Sequence, residues 1–286
     1  MKKLHTYKAI YVLPAVLLQL YTLSCFSQYY YKDILNTRDV NHNFLLYKTN
    51  KVSRIKLNSF QGNTPVTEGF VCEQKITGNQ MVTYTKTADA GESYFTAYYN
   101  GKSLLTRSVD SSEETISTTL YEYDDADHIL KMANETRARD GSSKTAEVHT
   151  WQYNQAGKPV KMLRIRDGRD TTTILFTLDE KGNVSEEGGV AGKGPEKIYY
   201  YYDDQNRLTD IVRYNNKAKR LLPDYMFEWD ENGELATMLV VPEGSSDYLK
   251  WYYKYDEAGL KAVDFCYNKQ KELQGKIEYS YNSSGK

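Results

Sequence analysis

Carboxylates and tyrosines are the residues of this chain that could do chemistry, since it has 38 acidic residues and 27 tyrosines among 286. Two carboxylates facing each other across a groove would suit hydrolysis of a glycosidic bond. Clustered carboxylate oxygens, as in 124–127, 203–204 and 230–232, are ligands that Ca²⁺ prefers. No spacing selects a catalytic pair, however, and none of these clusters has the length of an EF-hand loop. We therefore predict no catalytic residue, no metal and no cofactor.

The histidines and cysteines do not combine into a reactive motif. His42, His128 and His149 are scattered, without the paired spacing of a metal site, so we expect them at the surface. Cys72 and Cys266 would meet only if the protein closed upon itself. We expect two isolated buried thiols rather than a disulfide.

The acidic clusters belong to a repeat that organises most of the chain. Aromatic segments run into an Asp or Asn that is expected to open a tight turn, at Asn100, Asp124, Asn154, Asp179, Asp203, Asp230, Asp256 and Asn282. The mean spacing of these residues is 26, and a period in this range indicates a repeat architecture. Before each turn, apolar side chains mostly alternate with polar ones, which is typical of a half-buried antiparallel strand.

The turns carry their own backbone chemistry. Asp and Asn are favoured at the first position of a type I turn and Gly at the fourth, where Gly157, Gly182 and Gly233 are examples. Asp127 and Asn206 occupy the same position in two other turns and tolerate positive φ better than most residues do. The pair Asn100-Gly101 predicts a shorter, two-residue turn. Each unit is therefore expected to be a β-hairpin.

The run Tyr202-Asp203-Asp204-Gln205-Asn206-Arg207-Leu208-Thr209 resembles the Tyr-Asp core of the RHS/YD-repeat family, whose motif is Y-D-x-x-G-R-L-T. Segments 230–235 and 255–259 match parts of the same motif, and the resemblance covers roughly residues 95–286. Family members form long antiparallel sheets that spiral into shells, sometimes around a toxin domain. The resemblance thus implies a hairpin-repeat sheet and, by analogy alone, a part in a toxin-delivery shell.

The predicted fold is all-β, with consecutive antiparallel hairpins forming one extended, twisted or spiralling sheet, and partial closure is an open alternative. Residues 96–286 are the repeat domain, and residues 28–95 are expected to be less regular hairpins that cap the edge of the sheet. Two strand pairs are predicted there, one joining 45–47 to 55–57 and one joining 70–72 to 81–84 around Gly78. No helical periodicity is visible.

The first 27 residues have the pattern of a secretory signal peptide. A basic start with Lys2, Lys3 and Lys8 precedes an apolar stretch that is interrupted by Pro14. Cleavage after Ser27 is the preferred interpretation, and lipidation at Cys25 is the alternative. We expect export to the periplasm, the outer surface or the medium, with no transmembrane segment after the signal is removed.

Charge argues against a nucleic-acid partner. Without the three lysines of the signal, the 37 basic residues fall to 34 against 38 acidic ones. The balance is mildly acidic and there is no basic block. The chain therefore lacks the clustered positive charge that attracts the phosphate backbone of a nucleic acid. A polysaccharide or a protein at the cell surface is the partner that we expect.

Tyrosines that break the inward alternation are the best ligand-binding candidates, because the others are explained by core packing. They are Tyr98, Tyr199, Tyr201 and Tyr252, which are predicted to point to the opposite face. The favoured hypothesis is an exported, non-catalytic binding or scaffold module of the cell envelope. The alternative is an exported carbohydrate-active hydrolase that uses carboxylates in a groove of the sheet.

Overall fold

The protein was analysed as a computed structural model, which describes residues 29–66, 69–190, 195–216, 218–242 and 245–283. The predicted signal peptide, its cleavage site after Ser27 and the alternative lipid site at Cys25 lie outside these residues. Within the described ranges the chain forms one helix followed by nineteen strands.

The helix, α1, comprises Tyr31–Thr49, and every strand after it pairs antiparallel with its neighbours. The strands are β1 (Val52–Gln61), β2 (Thr64–Pro65), β3 (Val71–Thr77), β4 (Gln80–Thr87), β5 (Gly91–Tyr99), β6 (Leu105–Ser111), β7 (Thr115–Tyr123), β8 (Ile129–Ala138), β9 (Lys144–Tyr153), β10 (Pro159–Arg166), β11 (Asp170–Leu178), β12 (Val184–Gly189), β13 (Ile198–Tyr202), β14 (Leu208–Asn215), β15 (Arg220–Trp229), β16 (Leu235–Val240), β17 (Leu249–Tyr255), β18 (Lys261–Asn268) and β19 (Leu273–Ser283).

The sheet closes into a barrel, because β1 pairs on one side with β3 and on the other with β19. From β3 to β19 each strand pairs with the next, so the ring is complete and only the two-residue β2 stands outside it. The all-β hairpin prediction is confirmed, and the sheet closes completely rather than in part. Closure leaves no long unpaired edge, which is the feature of an open sheet that invites aggregation.

The repeat turns form as predicted, because each opening side chain stabilises its own loop. In seven of them the side-chain oxygen accepts hydrogen bonds of 2.8–3.0 Å from the backbone N–H groups two and four residues later, at Asn100, Asp124, Asn154, Asp179, Asp203, Asp230 and Asp256. The fourth residue has positive φ in all of them, including Asp127 and Asn206. The two-residue turn predicted at Asn100-Gly101 is wrong, since Ser103 has φ 65° and the same longer turn forms there. The turn predicted at Asn282 extends beyond the described residues.

Aromatic side chains before six of the turns bond to the hairpin that precedes their own. The ring hydroxyl or indole N–H donates a hydrogen bond of 2.7–3.1 Å to the first carbonyl of an earlier strand, from Tyr123 to Leu105, Tyr153 to Ile129, Tyr202 to Val184, Trp229 to Leu208, Tyr255 to Leu235 and Tyr281 to Lys261. The repeat therefore encodes an inward aromatic that both fills the core and fixes the position of adjacent hairpins.

Helix α1 lies across the interior of the barrel and contacts widely separated strands. Asn41 accepts a hydrogen bond of 2.8 Å from the N–H of Leu105 on β6. The Phe44 ring stacks on Tyr99 of β5 with centroids 3.6 Å apart, and Tyr47 packs against Tyr281 of β19. Sequence reading predicted a strand pair for 45–47 and no helix, and both predictions are wrong.

The helix could not be recognised from the sequence because its buried side is largely polar. Its buried residues are Asp33, Thr37 and Phe44, at helical spacing, while Leu45 is 53% exposed. Apolar periodicity, the usual signal for a helix, is therefore absent. The rest of the predicted capping region is not a cap, since β1 and β3 to β5 are full members of the ring. The hairpin predicted around Gly78 is confirmed as β3–β4.

The barrel interior holds three groups of buried apolar side chains. Cys72 and Cys266 are both buried in the group that includes Ile55 and Trp251. They lie on β3 and β18, with β1 and β19 between them, and both thiols are free. Among the described residues, no helix combines the length and the apolar character needed to cross a membrane.

Candidate functional site

Two places in the described residues gather polar groups among aromatic rings, one inside the barrel and one on its outer face. The inner one begins at the start of α1. Glu187 of β12 is only 2% exposed, and its carboxylate accepts hydrogen bonds from the N–H groups of Tyr30 (2.8 Å) and Tyr31 (2.7 Å). A carboxylate at this end of a helix satisfies orphan N–H donors and complements the helix dipole. Burial raises the pKa of Glu187 to about 7, against the lowering effect of these two donors.

A chain of charged groups continues from the first turn of the helix. Asp33 contacts Nδ1 of His149 at 2.6 Å, and Nε2 of His149 contacts Glu147 at 2.9 Å. Glu147 in turn accepts a hydrogen bond of 2.9 Å from Arg164. His149 was expected at the surface, but it is buried. We call Asp33, Glu147, His149, Arg164 and Glu187 the helix-anchoring cluster.

The pKa values of the cluster follow from these contacts. Burial by itself lowers the pKa of His149, but the hydrogen bonds to Asp33 and Glu147 outweigh it and raise that pKa to about 9. The hydrogen bond with His149 lowers the pKa of Glu147 to about 2, and Arg164 acts in the same direction. At neutral pH the imidazolium therefore donates from both nitrogens, and neither nitrogen is left to act as a base.

A second buried contact holds the residues before the helix. The hydroxyl of Tyr29 bonds to the carboxylate of Asp224 on β15, which also pairs with Arg213 on β14 at 2.8 Å. Burial, followed by this hydrogen bond, raises the pKa of Tyr29. Shifted pKa values often mark catalytic sites. Here the shifted groups are enclosed and bonded to one another or to the helix segment, so their evident role is to position it. In the part of the chain that the structure describes, no group of three or more His, Cys, Asp or Glu side chains is arranged so that it could hold a metal ion.

The predicted ligand tyrosines all lie on the outer face, but they do not form one site. Tyr201 is 48% exposed and Tyr252 is 40% exposed, on β13 and β17. Tyr199 is half-buried on the same strand as Tyr201. Tyr98 lies far around the ring on β5, where its ring contacts the guanidinium of Arg107 at 4.5 Å.

Between Tyr201 and Tyr252 the outer face has a shallow depression of about 90 Å³. Its lining combines apolar and polar side chains from four neighbouring strands: Thr209, Asp210, Met226, Glu228, Thr237, Leu239 and Lys250. We call it the Asp210 depression. The sequence alone does not reveal it, because the direct pairing that sets Asp210 beside Tyr201 on the same face is known only from the strand register.

The polar groups of the depression differ in their bonding. Glu228 accepts hydrogen bonds from Thr237 (2.6 Å) and from Lys250 (3.2 Å), so these three groups hold one another in place. Asp210 is half-buried, and its carboxylate makes no hydrogen bond or ion pair with any described residue. An acceptor with unused lone pairs therefore lies beside an apolar floor and an exposed tyrosine.

Comparison with known proteins gives low similarity. No family model and no curated protein matches the chain. A porin-like protein from Bacteroides uniformis is 14% identical, with a TM-score of 0.41 and coverage of 81% of this chain and 98% of that one. A porin-like protein from Bacteroides vulgatus is 13% identical, with a TM-score of 0.33 and the same coverage. The Photorhabdus luminescens Tc holotoxin pore is 12% identical at a TM-score of 0.29, covering 80% of this chain and 17% of that one. Similarity at this level carries no argument about function, and the resemblance to the RHS/YD-repeat family stays a prediction.

Proposed function

We propose that the protein is an exported, non-catalytic binding module that recognises its ligand on the outer face of β13–β17. The observation that carries this proposal is a band of exposed apolar and aromatic side chains on that face, including Tyr201, Tyr214, Met226 and Tyr252. Tyrosine supplies a large apolar surface together with a polar tip, which suits recognition of sugars and peptides.

The contacts made inside the barrel support this choice. The helix segment packs against the inward aromatic side chains of the repeats, and the helix-anchoring cluster binds it there. The hydrolase alternative needs two carboxylates that reach a substrate in an open groove. Glu187 and Asp33 are buried and already bonded, so no observation favours that alternative over the binding module.

The outer face also has the character of a surface in contact with water. Ion pairs lie on it at strand positions, as between Glu122 and Lys131 (2.7 Å) and between Glu278 and Lys276 (2.6 Å). Charged side chains are costly on a sheet surface that faces lipid. These ion pairs therefore support a proposed binding face that is exposed to water, in a compartment outside the cytoplasm to which the predicted signal peptide would direct the protein.

Arrays of glycans and of peptides, probed with the purified protein, test the proposal. We expect binding to at least one class, and we expect Tyr201→Ala and Tyr252→Ala each to weaken it roughly two- to tenfold, as loss of an aromatic contact predicts. Tyr94→Ala is the matched control, because Tyr94 is 46% exposed on the outer face of β5, away from the band. Binding that survives both substitutions, or that Tyr94→Ala reduces equally, would overturn the proposal.

A further inference from the structure

The Asp210 depression combines the features that one sugar ring requires. We infer that it is a subsite for a neutral oligosaccharide chain, an inference that rests on the proposed binding function of the outer face. Its floor is apolar, formed by Met226 and Leu239, which pair directly across β15 and β16. The C–H face of a sugar ring packs on such a floor, as it does on the adjacent ring of Tyr201.

Asp210 supplies the polar side of the recognition. Its carboxylate has no partner in the described ranges, although the side chain is half-buried. Ligand hydroxyls would donate to it, and hydrogen bonds to a charged acceptor are stronger than neutral ones. On the far side of the floor, Glu228 fixes the positions of Thr237 and Lys250. A ring on the floor thus meets an acceptor on one side and an ordered polar group on the other.

Charge selects among saccharides. The depression contains two carboxylates, Asp210 and Glu228, and one ammonium group, that of Lys250. An acidic sugar placed beside Asp210 would meet a like charge, which is unfavourable at short range. A neutral chain meets no such repulsion and can donate hydrogen bonds to the free carboxylate.

The closed sheet disfavours an extended peptide as the occupant. Peptides often bind sheets by adding a strand to a free edge. Here β14 to β17 each pair on both sides, and β13 pairs with β14 along its length and with β12 at Ile198 and Tyr199, so most of their backbone groups are already used in the ladder. A peptide lying across them would find few backbone partners, whereas a saccharide has no such requirement.

The strand register also determines how long the site is. Tyr201, Asp210, Met226, Leu239 and Lys250 are paired in sequence across five adjacent strands. Four intervals of about 4.8 Å give a row of roughly 19 Å. This row is longer than one sugar ring, so an oligosaccharide running across the strands would contact Tyr201 and the depression together.

Titration calorimetry with fragments of laminarin, mannan and xylan, and with polygalacturonate as the acidic comparator, tests the inference. We expect a neutral fragment to bind more tightly than polygalacturonate. Asp210→Ala should weaken that binding about tenfold or more, the effect of removing hydrogen bonds to a charged group. Asp210→Asn, which keeps the shape and one acceptor, should have a smaller effect. The control is Asp204→Asn, an exposed carboxylate in the adjoining turn.

The outcomes separate this inference from the proposed function. If Tyr201→Ala weakens binding and Asp210→Ala does not, the subsite is wrong and the binding face stands. Preference for polygalacturonate, or binding of peptides alone, likewise overturns the subsite without affecting the face. If none of the saccharides binds in calorimetry and no glycan or peptide binds on the arrays, both the subsite and the proposed binding function are wrong. Near-UV circular dichroism of each variant separates loss of binding from loss of fold.

Discussion

The helix-anchoring cluster and the Asp210 depression contain the same kinds of side chain in opposite circumstances. Inside the barrel, Glu187 and Asp33 are buried, and each bonds to a partner from another element. On the outer face, Asp210 lies beside a tyrosine and bonds to no described residue. Acidity and nearby aromatic rings are therefore common to the structural cluster and to the proposed binding site, and the two differ in their unused hydrogen-bonding capacity.

The difference has an energetic consequence. A buried charge must be paired, because leaving it alone costs far more than any single contact contributes. The inner carboxylates therefore stabilise the folded state through their partners, and substituting them should change the free energy of unfolding. The outer carboxylate is hydrated when no ligand is bound, so changing it should alter binding alone.

Removal of one carboxylate from each region is the strongest way to break this comparison. Asp33→Ala deprives the buried His149 of one of its two acidic partners and should lower the free energy of unfolding by about 3–5 kcal/mol. Asp210→Ala should change it by no more than about 0.5 kcal/mol, as for other surface substitutions. Urea unfolding followed by circular dichroism measures both. Equal losses in the two variants would show that the inner cluster does not anchor the helix.

The pH dependence of stability should come from the inner region. Glu187 keeps its proton to about pH 7 when folded but releases it near 4.5 when unfolded. His149 similarly keeps its proton to about pH 9, against 6.5 in the unfolded chain. The folded state therefore binds more protons between pH 4.5 and 9, and the free energy of unfolding should fall as pH rises through that window.

One substitution sharpens this expectation. Glu187→Gln cannot titrate, so the fall between pH 4.5 and 7 should largely disappear while the fall between 6.5 and 9 remains. Chemical unfolding at a series of pH values is the measurement, and stability that rises with pH across the window would contradict the assignment.

The repeat hairpins could be predicted because their determinants are local. Asp203 forms its turn with backbone groups two and four residues away, and Gly233 provides the positive φ of the following turn. Such signals are complete within a few residues of sequence. For the same reason the inward aromatics before each turn could be recognised from alternation alone.

The helix and the closure could not be predicted, because they depend on distant partners. Asp33 meets a histidine 116 residues away, and the N–H of Tyr30 meets a carboxylate 157 residues away. Closure depends on the pairing of β1 with β19. Polar residues on the buried side of a helix look like surface residues until their partners are known.

The outward position of two of the candidate tyrosines could be predicted. Alternation placed Tyr201 and Tyr252 on the outer face, where the structure has them exposed. Asp210 was one of 38 acidic residues with nothing local to distinguish it. Its position beside Tyr201 follows from the register of β13 with β14. That register shifts at a bulge between Tyr201 and Tyr202, which could not be predicted from the sequence.

The smallest test compares two tyrosine hydroxyls, one inside and one outside. The Tyr153 hydroxyl donates a hydrogen bond of 2.7 Å to the carbonyl of Ile129, so Tyr153→Phe should lower the free energy of unfolding by about 1 kcal/mol. Tyr201 is exposed and no protein group receives its hydroxyl in the described residues, so Tyr201→Phe should leave stability unchanged. Thermal unfolding of the two variants measures the difference. If Tyr153→Phe is also neutral, the inward tyrosines stabilise the repeat by filling space alone, and the hydroxyl contacts that join one hairpin to the next contribute nothing to it.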